Sequence, residues 1–245
     1  MWQEFIRLRE NYLKQIVTEN DAYREYLRDH FLYEIFKLAG HLLPEEQFQY
    51  IIHNNKRPHE PEQLRVYDLW QAWLYTKEQA DKHQTFSMEL IQKINAKVMK
   101  HTGKEITTTI GRYDSSLGDF RLEEDYNSIY PIADYTQIPE LLNALCRKVN
   151  AESQEGKVIP LIKTGIHYLF EFAHIKPFGE GNTETGMLSM NYLFLRHHQP
   201  LLIIFSEDRP EALNAIKSKD ISQTPEEFEY FMLKEQIKFL KKETD

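Results

Sequence analysis

The sequence predicts a mainly helical fold with one small β-hairpin. Apolar side chains recur at three- and four-residue steps along most of the 245 residues, which is the period of an amphipathic α-helix. Residues 106–110 are the exception, because a β-branched run of isoleucine and threonine favours a strand. With 9 Gly and 10 Pro, the chain is neither collagen-like nor of low complexity. We therefore expect one large domain, or one domain with a helical extension.

The composition limits the classes of partner and compartment. Acidic side chains number 38 and basic ones 30, for a net charge of −8, which makes nucleic acid and anionic membranes poor partners. Cys146 is the only cysteine, so no intrachain disulfide can form and a reducing compartment is indicated. The N-terminal residues include Glu4 and Glu10, and the longest apolar run is residues 201–205, so we predict neither a signal peptide nor a membrane span. We expect a soluble, cytoplasmic protein.

The N-terminal half predicts a succession of helices. Residues 1–40 carry apolar residues on a helical stripe, and Gly40 and Pro44 then predict a turn. Further helices are predicted at residues 44–53, 63–82 and 86–101, with a loop containing two prolines at residues 54–61. We expect residues 1–60 to be N-terminal helices packed on the domain of residues 61–245, all in a single structural unit. A dimer or partner contact through the first helical stripe stays open as the alternative to core packing.

The C-terminal half predicts the hairpin and then four helices. The strand at residues 106–110 is expected to pair with residues 120–122, across turns at residues 111–113 and 115–119. Helices are predicted at residues 138–149 and 160–173, then after a short loop up to about residue 198, and at residues 224–242. Thr224 as N-cap, followed by a proline in the first turn, predicts the start of the last helix.

The loop that begins at Pro177 is the segment most informative about chemistry. Pro177 predicts the end of the preceding helix, and Gly179 and Gly181 predict a tight turn. Asn182 or Thr183 is expected to cap the next helix. Because free backbone N–H groups converge at a helix N-terminus, where the dipole adds positive potential, such a turn predicts an anion site. A plain corner between two helices is the alternative.

The same stretch, HIKPFGEGNTETGM over residues 174–187, resembles the signature loop of the Fic (Fido) family, HPFx[DE]GNGRxxR. The likeness continues through residues 35–46, 62–75, 111–131, 138–141, 158–173, 188–196 and 199–204, and covers roughly residues 31–240. The resemblance implies a Fic-like helical domain with a small hairpin called the flap and an N-terminal helical extension.

Typical members of that family transfer AMP from ATP to a hydroxyl group of a target protein, so the resemblance implies ATP and Mg²⁺ as cofactors and a protein partner. The motif histidine is the general base, the motif acid holds Mg²⁺, the glycine-rich backbone and two arginines bind phosphate, and the flap binds the target by strand addition. By position, Glu180 corresponds to the metal-binding acid. The phosphate-loop positions are Gly179, Gly181, Asn182, Thr183, Glu184, Thr185, Gly186 and Met187, and the flap positions are Gly111, Arg112 and Tyr113.

The position of the base departs from the family pattern. Lys176 stands where the histidine belongs when the loop is aligned without a gap, whereas His174 takes that place if two residues are inserted. A general base must accept a proton near neutral pH, and a lysine, with a reference pKa near 10.4, is normally protonated already. Strong desolvation would be needed to change this, and the neighbouring Glu180 opposes it. Both registers stay open.

The phosphate-binding arginines are also missing. Glu184 replaces the first and Met187 the second, while Thr183 replaces a glycine. At ~4 Å and an effective dielectric of ~20, one repulsion between like charges is about 4 kcal/mol, which is about a thousandfold in affinity or rate. The family's autoinhibitory helix is altered as well, because Ala39 replaces its glutamate and Ile35 its serine or threonine. The sequence therefore predicts little or no AMP transfer and weak or lost ATP binding.

Two alternative metal sites follow from residue spacing. His167, Glu171 and His174 share one helix face at a spacing that suits zinc, with packing or supporting histidines as the alternative. Glu180 together with Glu184 would suit Mg²⁺ or Ca²⁺, with two solvated acids as the alternative.

Three functions stay open at this point. The first is a Fic-like protein, impaired or inactive in AMP transfer, that acts through binding or regulation. The second is an active or altered nucleotidyl or phosphoryl transferase that uses ATP and Mg²⁺ on a protein target. The third is a structural subunit whose N-terminal helices form a homodimer. Tyr126, Tyr130 and Tyr135 near the flap are candidate partner contacts, with local packing as the alternative.

Overall fold

The helical periodicity corresponds to ten α-helices in the computed structural model, which describes residues 1–18, 21–126, 128–153, 157–217 and 225–244. The first five are α1 (Trp2–Thr18), α2 (Asp21–Leu38), α3 (Glu45–Asn54), α4 (Pro61–Asp81) and α5 (Met88–Val98). The later five are α6 (Ile138–Ser153), α7 (Val158–Ile175), α8 (Asn182–Arg196), α9 (Arg209–Lys217) and α10 (Glu226–Thr244). Two strands, β1 (Glu105–Thr107) and β2 (Arg112–Asp114), pair antiparallel. The predicted helical fold with a small hairpin is confirmed.

Helix α7 lies at the centre of the molecule because its apolar residues cover most of its circumference. It packs against α6, α8 and α10, and α8 in turn packs against α4 and α5. The two central helices approach so closely that Gly165 has no room for a side chain, since a Cβ there would lie 2.6 Å from Phe194 Cζ. Cys146 faces this core from α6 with 3% of its surface exposed, and burial raises the pKa of its thiol to about 12.

The N-terminal helices pack on this core. Helix α1 lies along α10, where Lys241 Nζ is 2.8 Å from Glu4 Oε1, while α2 packs against α4 and α8, and α3 against α4. The helix predicted over residues 1–40 is described as α1 and α2, and residues 19–20 between them lie outside the described part of the chain. The apolar stripe of residues 1–40 is therefore used for packing within the molecule, with Phe5 and Leu32 almost fully buried.

The C-terminal part contains one helix that the sequence analysis did not predict, the nine-residue α9. Helix α10 begins at Glu226, and the predicted cap, Thr224, lies outside the described residues. Among the helices of the described residues, none combines the length and the apolar character that a membrane crossing requires.

The hairpin is shorter than predicted, and its second strand is a different segment. The predicted turn at residues 111–113 instead forms part of β2, which pairs with β1, so the predicted pairing with residues 120–122 is wrong. The apolar pattern of residues 120–122 serves another contact. Phe120 packs on Phe178 at 5.7 Å between ring centroids, and the backbone N–H of Arg121 donates to Pro177 O at 3.0 Å. This segment is therefore fixed to the loop after α7.

Candidate functional site

The candidate site is the loop between α7 and α8, and two residues with positive φ give it its path. Helix α7 ends in front of Lys176, which has φ of 43° and donates its N–H to Phe172 O at 2.8 Å. Pro177 then prevents the helix from continuing. Gly181 has φ of 73° and is the N-cap of α8. A side chain at Gly181 would be strained, and its Cβ would lie 2.9 Å from Met99 Sδ.

Two asparagine side chains hold the loop together. Asn182 accepts from Phe178 N at 3.1 Å and donates to Phe178 O at 2.7 Å, so it closes the loop. The prediction that Asn182 or Thr183 caps α8 is wrong, because Gly181 takes the N-cap position without a side-chain hydrogen bond. Asn182 is the first residue after the N-cap, and both polar atoms of its amide bond to the backbone of Phe178.

The second asparagine, Asn95 on α5, is fully buried and was not a candidate from the sequence. Its Nδ2 donates to Glu180 O at 3.1 Å and to Thr185 Oγ1 at 3.0 Å. It therefore joins the two ends of the turn. The signal in the sequence is a polar residue on the apolar face of α5, next to Ile94 and Ile91.

Lys176 lies at the loop side of the site, and its ammonium group pairs with the carboxylate of Asp125. Both side chains are about one quarter exposed, at 25% and 26%. The carbonyl of Lys176 accepts from Arg121 Nε at 2.8 Å. Both the charge and the backbone of Lys176 are thus bound to the segment that follows the hairpin.

Arg121 is a further residue that the sequence analysis did not single out. The residue is 2% exposed, and its guanidinium donates to Lys176 O, to Glu123 O at 2.7 Å, to Ala133 O and to Ile175 O at 3.4 Å. Burial lowers the pKa of this guanidinium. One charged group thereby satisfies several backbone carbonyls at the end of α7 and in the segment after the hairpin.

His174 lies on a different side of α7 from the loop. It is 8% exposed, its Nδ1 is 3.0 Å from Pro131 O, and its ring packs edge-on against Tyr130 and Phe170. It lines a cleft of about 510 Å³ between α6 and α7. Lys176 and His174 therefore line different cavities, and only Lys176 shares one with Asn182 and Thr183.

The predicted zinc group is not formed. No cluster of three or more metal-ligating side chains occurs within the described residues. His167 instead has its Nε2 3.2 Å from Glu229 Oε2, which links α7 to α10.

Glu184 is buried, and its carboxylate is paired within the protein. It is 8% exposed, and His41 Nε2 lies 3.1 Å from its Oε1. The other ring nitrogen of His41 is 3.8 Å from Glu62 Oε2, so the histidine stands between two carboxylates. Glu180 is exposed to solvent. The alternative of two equivalent solvated acids is therefore wrong, because Glu184 is held by the turn that follows α2.

The predicted flap residues differ in exposure. Tyr113 is 3% exposed and donates to Glu123 Oε1 at 3.0 Å, and burial together with this carboxylate raises the pKa of its phenol to about 12. Its ring lies over Gly179, where a Cβ would be 2.7 Å from the Tyr113 hydroxyl. Arg112 is exposed, near Glu105, and Gly111 is half-buried. Of the three, only Arg112 presents a long side chain to solvent.

The three candidate tyrosines also differ. Tyr126 is 92% exposed, whereas Tyr130 packs on His174, and Tyr135 is partly buried against the core. Only Tyr126 has the exposure that a partner contact requires.

A cavity of about 250 Å³ opens beside the loop, and we call it the loop cavity. Lys176, Asn182, Thr183 and Met187 line its loop side, and its other walls come mainly from α7, α9 and residues 128–130. Met187 is 1% exposed, so the position of the family's second arginine carries an apolar wall of the cavity.

Comparison with known proteins supports the resemblance. Residues 85–194 match the family model described as the Fic/DOC family. No curated protein sequence matches this chain. Among solved structures, a Fic domain containing signaling protein from Bacteroides thetaiotaomicron is 17% identical, with a TM-score of 0.77 over 98% of this chain and 96% of that one. Fic-1 from C. elegans is 14% identical, with a TM-score of 0.74 over 98% of this chain and 71% of that one. A Fic family protein from Desulfovibrio desulfuricans is 14% identical, with a TM-score of 0.70 over 98% and 73%. These structures show that the fold is that of Fic-domain proteins.

Proposed function

We propose that this chain, a protein of Fic-domain fold whose residues 85–194 match the Fic/DOC family, is impaired or inactive in AMP transfer and acts by binding a protein partner. The backbone of the phosphate loop is retained, and the groups that would use it chemically are replaced. ATP and Mg²⁺ binding is accordingly weak or lost, with Glu180 as the position that would hold the metal.

The observation that carries this proposal is the ion pair between Lys176 and Asp125. An ammonium group has no lone pair with which to accept a proton, and this one is already paired with a carboxylate. The position of the general base is therefore occupied by a group that fixes the neighbouring segment. His174 does not replace it, because that side chain is buried on the other side of α7.

The phosphate-binding side of the loop supports the same proposal. The two arginine positions carry Glu184, whose carboxylate bonds to His41, and Met187, which is buried. Neither side chain can neutralise a phosphate. The N-terminus of α8 still offers backbone N–H groups, but a carboxylate in its first turn opposes a second anion.

The partner is a protein, bound through the exposed side of the hairpin, where Arg112 and Glu105, 3.4 Å apart and both exposed, can contact a polar or charged chain. A homodimer formed by the N-terminal helices is the alternative, and light scattering of the purified chain distinguishes a monomer from a dimer.

Incubation of the full chain with labelled ATP and Mg²⁺, alone and with a cell extract as the source of targets, tests the loss of transfer. We expect no labelled hydroxyl in any protein. The triple variant Lys176→His, Glu184→Arg, Met187→Arg is expected to gain transfer, while the double variant without Lys176→His is not. Lys148→His, on an exposed lysine of α6, is the matched control. Stoichiometric adenylylation by the native chain would contradict the proposal, and His174→Ala would then test the other register.

A further inference from the structure

We propose that the loop cavity binds a small, mainly apolar molecule with a single carboxylate, and that Arg209 holds the carboxylate. The inference rests on the proposed function, under which the loop no longer holds the phosphates of ATP. The space beside the loop is then available to a ligand of different chemistry.

The body of such a ligand would be surrounded by hydrocarbon. Leu169 and Phe172 of α7, Met187 of α8, Ile216 of α9 and Phe228 of α10 all line the cavity. Three of them, Phe172, Met187 and Phe228, are each 1% exposed. Apolar walls of this kind favour a ring or a short aliphatic chain, because the transfer of apolar surface out of water is the main favourable contribution to the free energy of binding.

Most polar groups of the cavity are already bonded within the protein. Lys176 pairs with Asp125, and both polar atoms of the Asn182 amide bond to the loop backbone. The hydroxyl of Ser128 donates to Tyr130 O at 2.7 Å. These groups contribute shape, and they offer little to a ligand.

Arg209, at the first position of α9, is the charged exception. It lines the cavity, it is exposed, and none of the carboxylates in the described residues pairs with it. A guanidinium binds a carboxylate through two parallel hydrogen bonds, which makes it suited to a single acidic group. An exposed guanidinium on the lining and hydrocarbon along the other walls together favour a ligand with one charge at one end.

The size of the cavity agrees with this class. Its volume is about 250 Å³, whereas pockets for drug-sized ligands usually start at about 300 Å³ and an apolar cavity of about 150 Å³ is enough for benzene. A ring with a short acidic chain fits between these limits. A nucleoside triphosphate needs more space and several cationic groups.

Cinnamate and its neutral analogue cinnamamide are the probes, titrated into the full chain and followed by saturation-transfer NMR. We expect both to bind, cinnamate more tightly. Arg209→Gln should weaken cinnamate at least about tenfold and change cinnamamide less than about twofold. Arg147→Gln, on an exposed arginine of α6, is the matched control and should change neither.

Two variants fill the cavity from different walls. Ala173→Phe and Leu213→Trp, whose positions line it, should each abolish binding of both probes while circular dichroism shows the native helical signal. If one variant does not fold, the other still tests the site. Cinnamate binding that survives both variants, or that is absent at millimolar concentration, would overturn the proposal.

A parallel titration with ATP and Mg²⁺ and the AMP-transfer assay separate the two proposals. If neither probe binds and the native chain transfers no AMP, the ligand assignment is wrong and the proposed function stands. Transfer by the native chain, or micromolar ATP binding that Leu213→Trp removes, would mean that the cavity is a nucleotide site and that both proposals are wrong.

Discussion

The two halves of the loop between α7 and α8 differ in what holds them. Residues 177–182 keep the residues of the family motif, and their shape depends on the side-chain amides of Asn95 and Asn182 bonded to backbone atoms. Residues 183–187 have lost the motif's charges, and Glu184 is instead bonded to His41 in the turn after α2. The shape of a phosphate loop and its charge therefore reside in different residues, so that one can be kept after the other is lost.

The largest effect is expected on ATP binding, when positive charge is introduced into residues 183–187. Glu184→Arg with Met187→Arg, in a His41→Gln background that avoids two facing cations, should tighten ATP binding about ten- to a thousandfold, because a repulsion is replaced by two guanidinium groups. Calorimetry on native and variant chains measures it. Native binding is expected in the millimolar range or below detection.

The control for this change is Glu227→Arg, which makes the same glutamate-to-arginine replacement at an exposed position of α10. It should leave ATP binding unchanged. Micromolar binding by the native chain that the loop substitutions do not alter would place the nucleotide elsewhere and remove the distinction between the two halves.

The next effect is on stability, and it concerns Arg121, which binds backbone carbonyls where the first half of the loop begins. Arg121→Met should lower the free energy of unfolding by about 3 kcal/mol or more, because several buried carbonyls lose their donor. Urea unfolding followed by circular dichroism measures the change. Arg112→Met, on an exposed arginine of the hairpin, should cost less than about 0.5 kcal/mol. Equal losses in the two variants would contradict the role given to Arg121.

A smaller effect is expected for the contact that holds the second half. In a double-mutant cycle, His41→Gln and Glu184→Gln should show a coupling free energy of about 1.5 kcal/mol, the range for a hydrogen bond to a charged group. The same cycle on His41 and Glu62, which are 3.8 Å apart, should give a smaller value. A coupling free energy of zero between His41 and Glu184 would mean that the carboxylate is not held by the turn after α2.

The smallest effect belongs to Tyr113. Tyr113→Phe should cost about 1 kcal/mol at neutral pH, the usual value of one hydrogen bond. The pKa of the phenol is raised to about 12 in the folded chain from 10.0, so the folded state holds this proton more tightly. The native chain should therefore lose stability as pH rises from 10 toward 12, and the variant should lose less. Tyr126→Phe, at an exposed position, should follow the native pH dependence.

Periodicity in the sequence predicted the helices well because burial repeats along the chain. The same reasoning failed at residues 120–122, where apolar residues next to Arg121 resemble a strand and instead pack on the loop. It also missed α9, whose nine residues carry only two buried alanines, Ala212 and Ala215. A proline at its second position was the available signal.

The residues that hold the site were beyond sequence reasoning for a different reason. Asn95, Arg121 and His41 each act on a partner far along the chain, at separations of 85, 55 and 143 residues. No local spacing links such pairs. The motif identified which positions had changed, but it could not tell that Glu184 would be paired and buried, since that depends on where the turn after α2 lies.

The burial of Cys146 gives the molecule an internal reporter of its own opening. Because this thiol is the chain's only one and is 3% exposed beneath the contact of α6 with α7, a thiol reagent can reach it only when that contact separates. Its labelling rate, divided by the rate for an unfolded chain, is then the equilibrium constant of that separation. The labelling rate with and without a ligand thus measures how strongly ligand binding opposes separation of α6 from α7, and the assay needs no substitution in the protein.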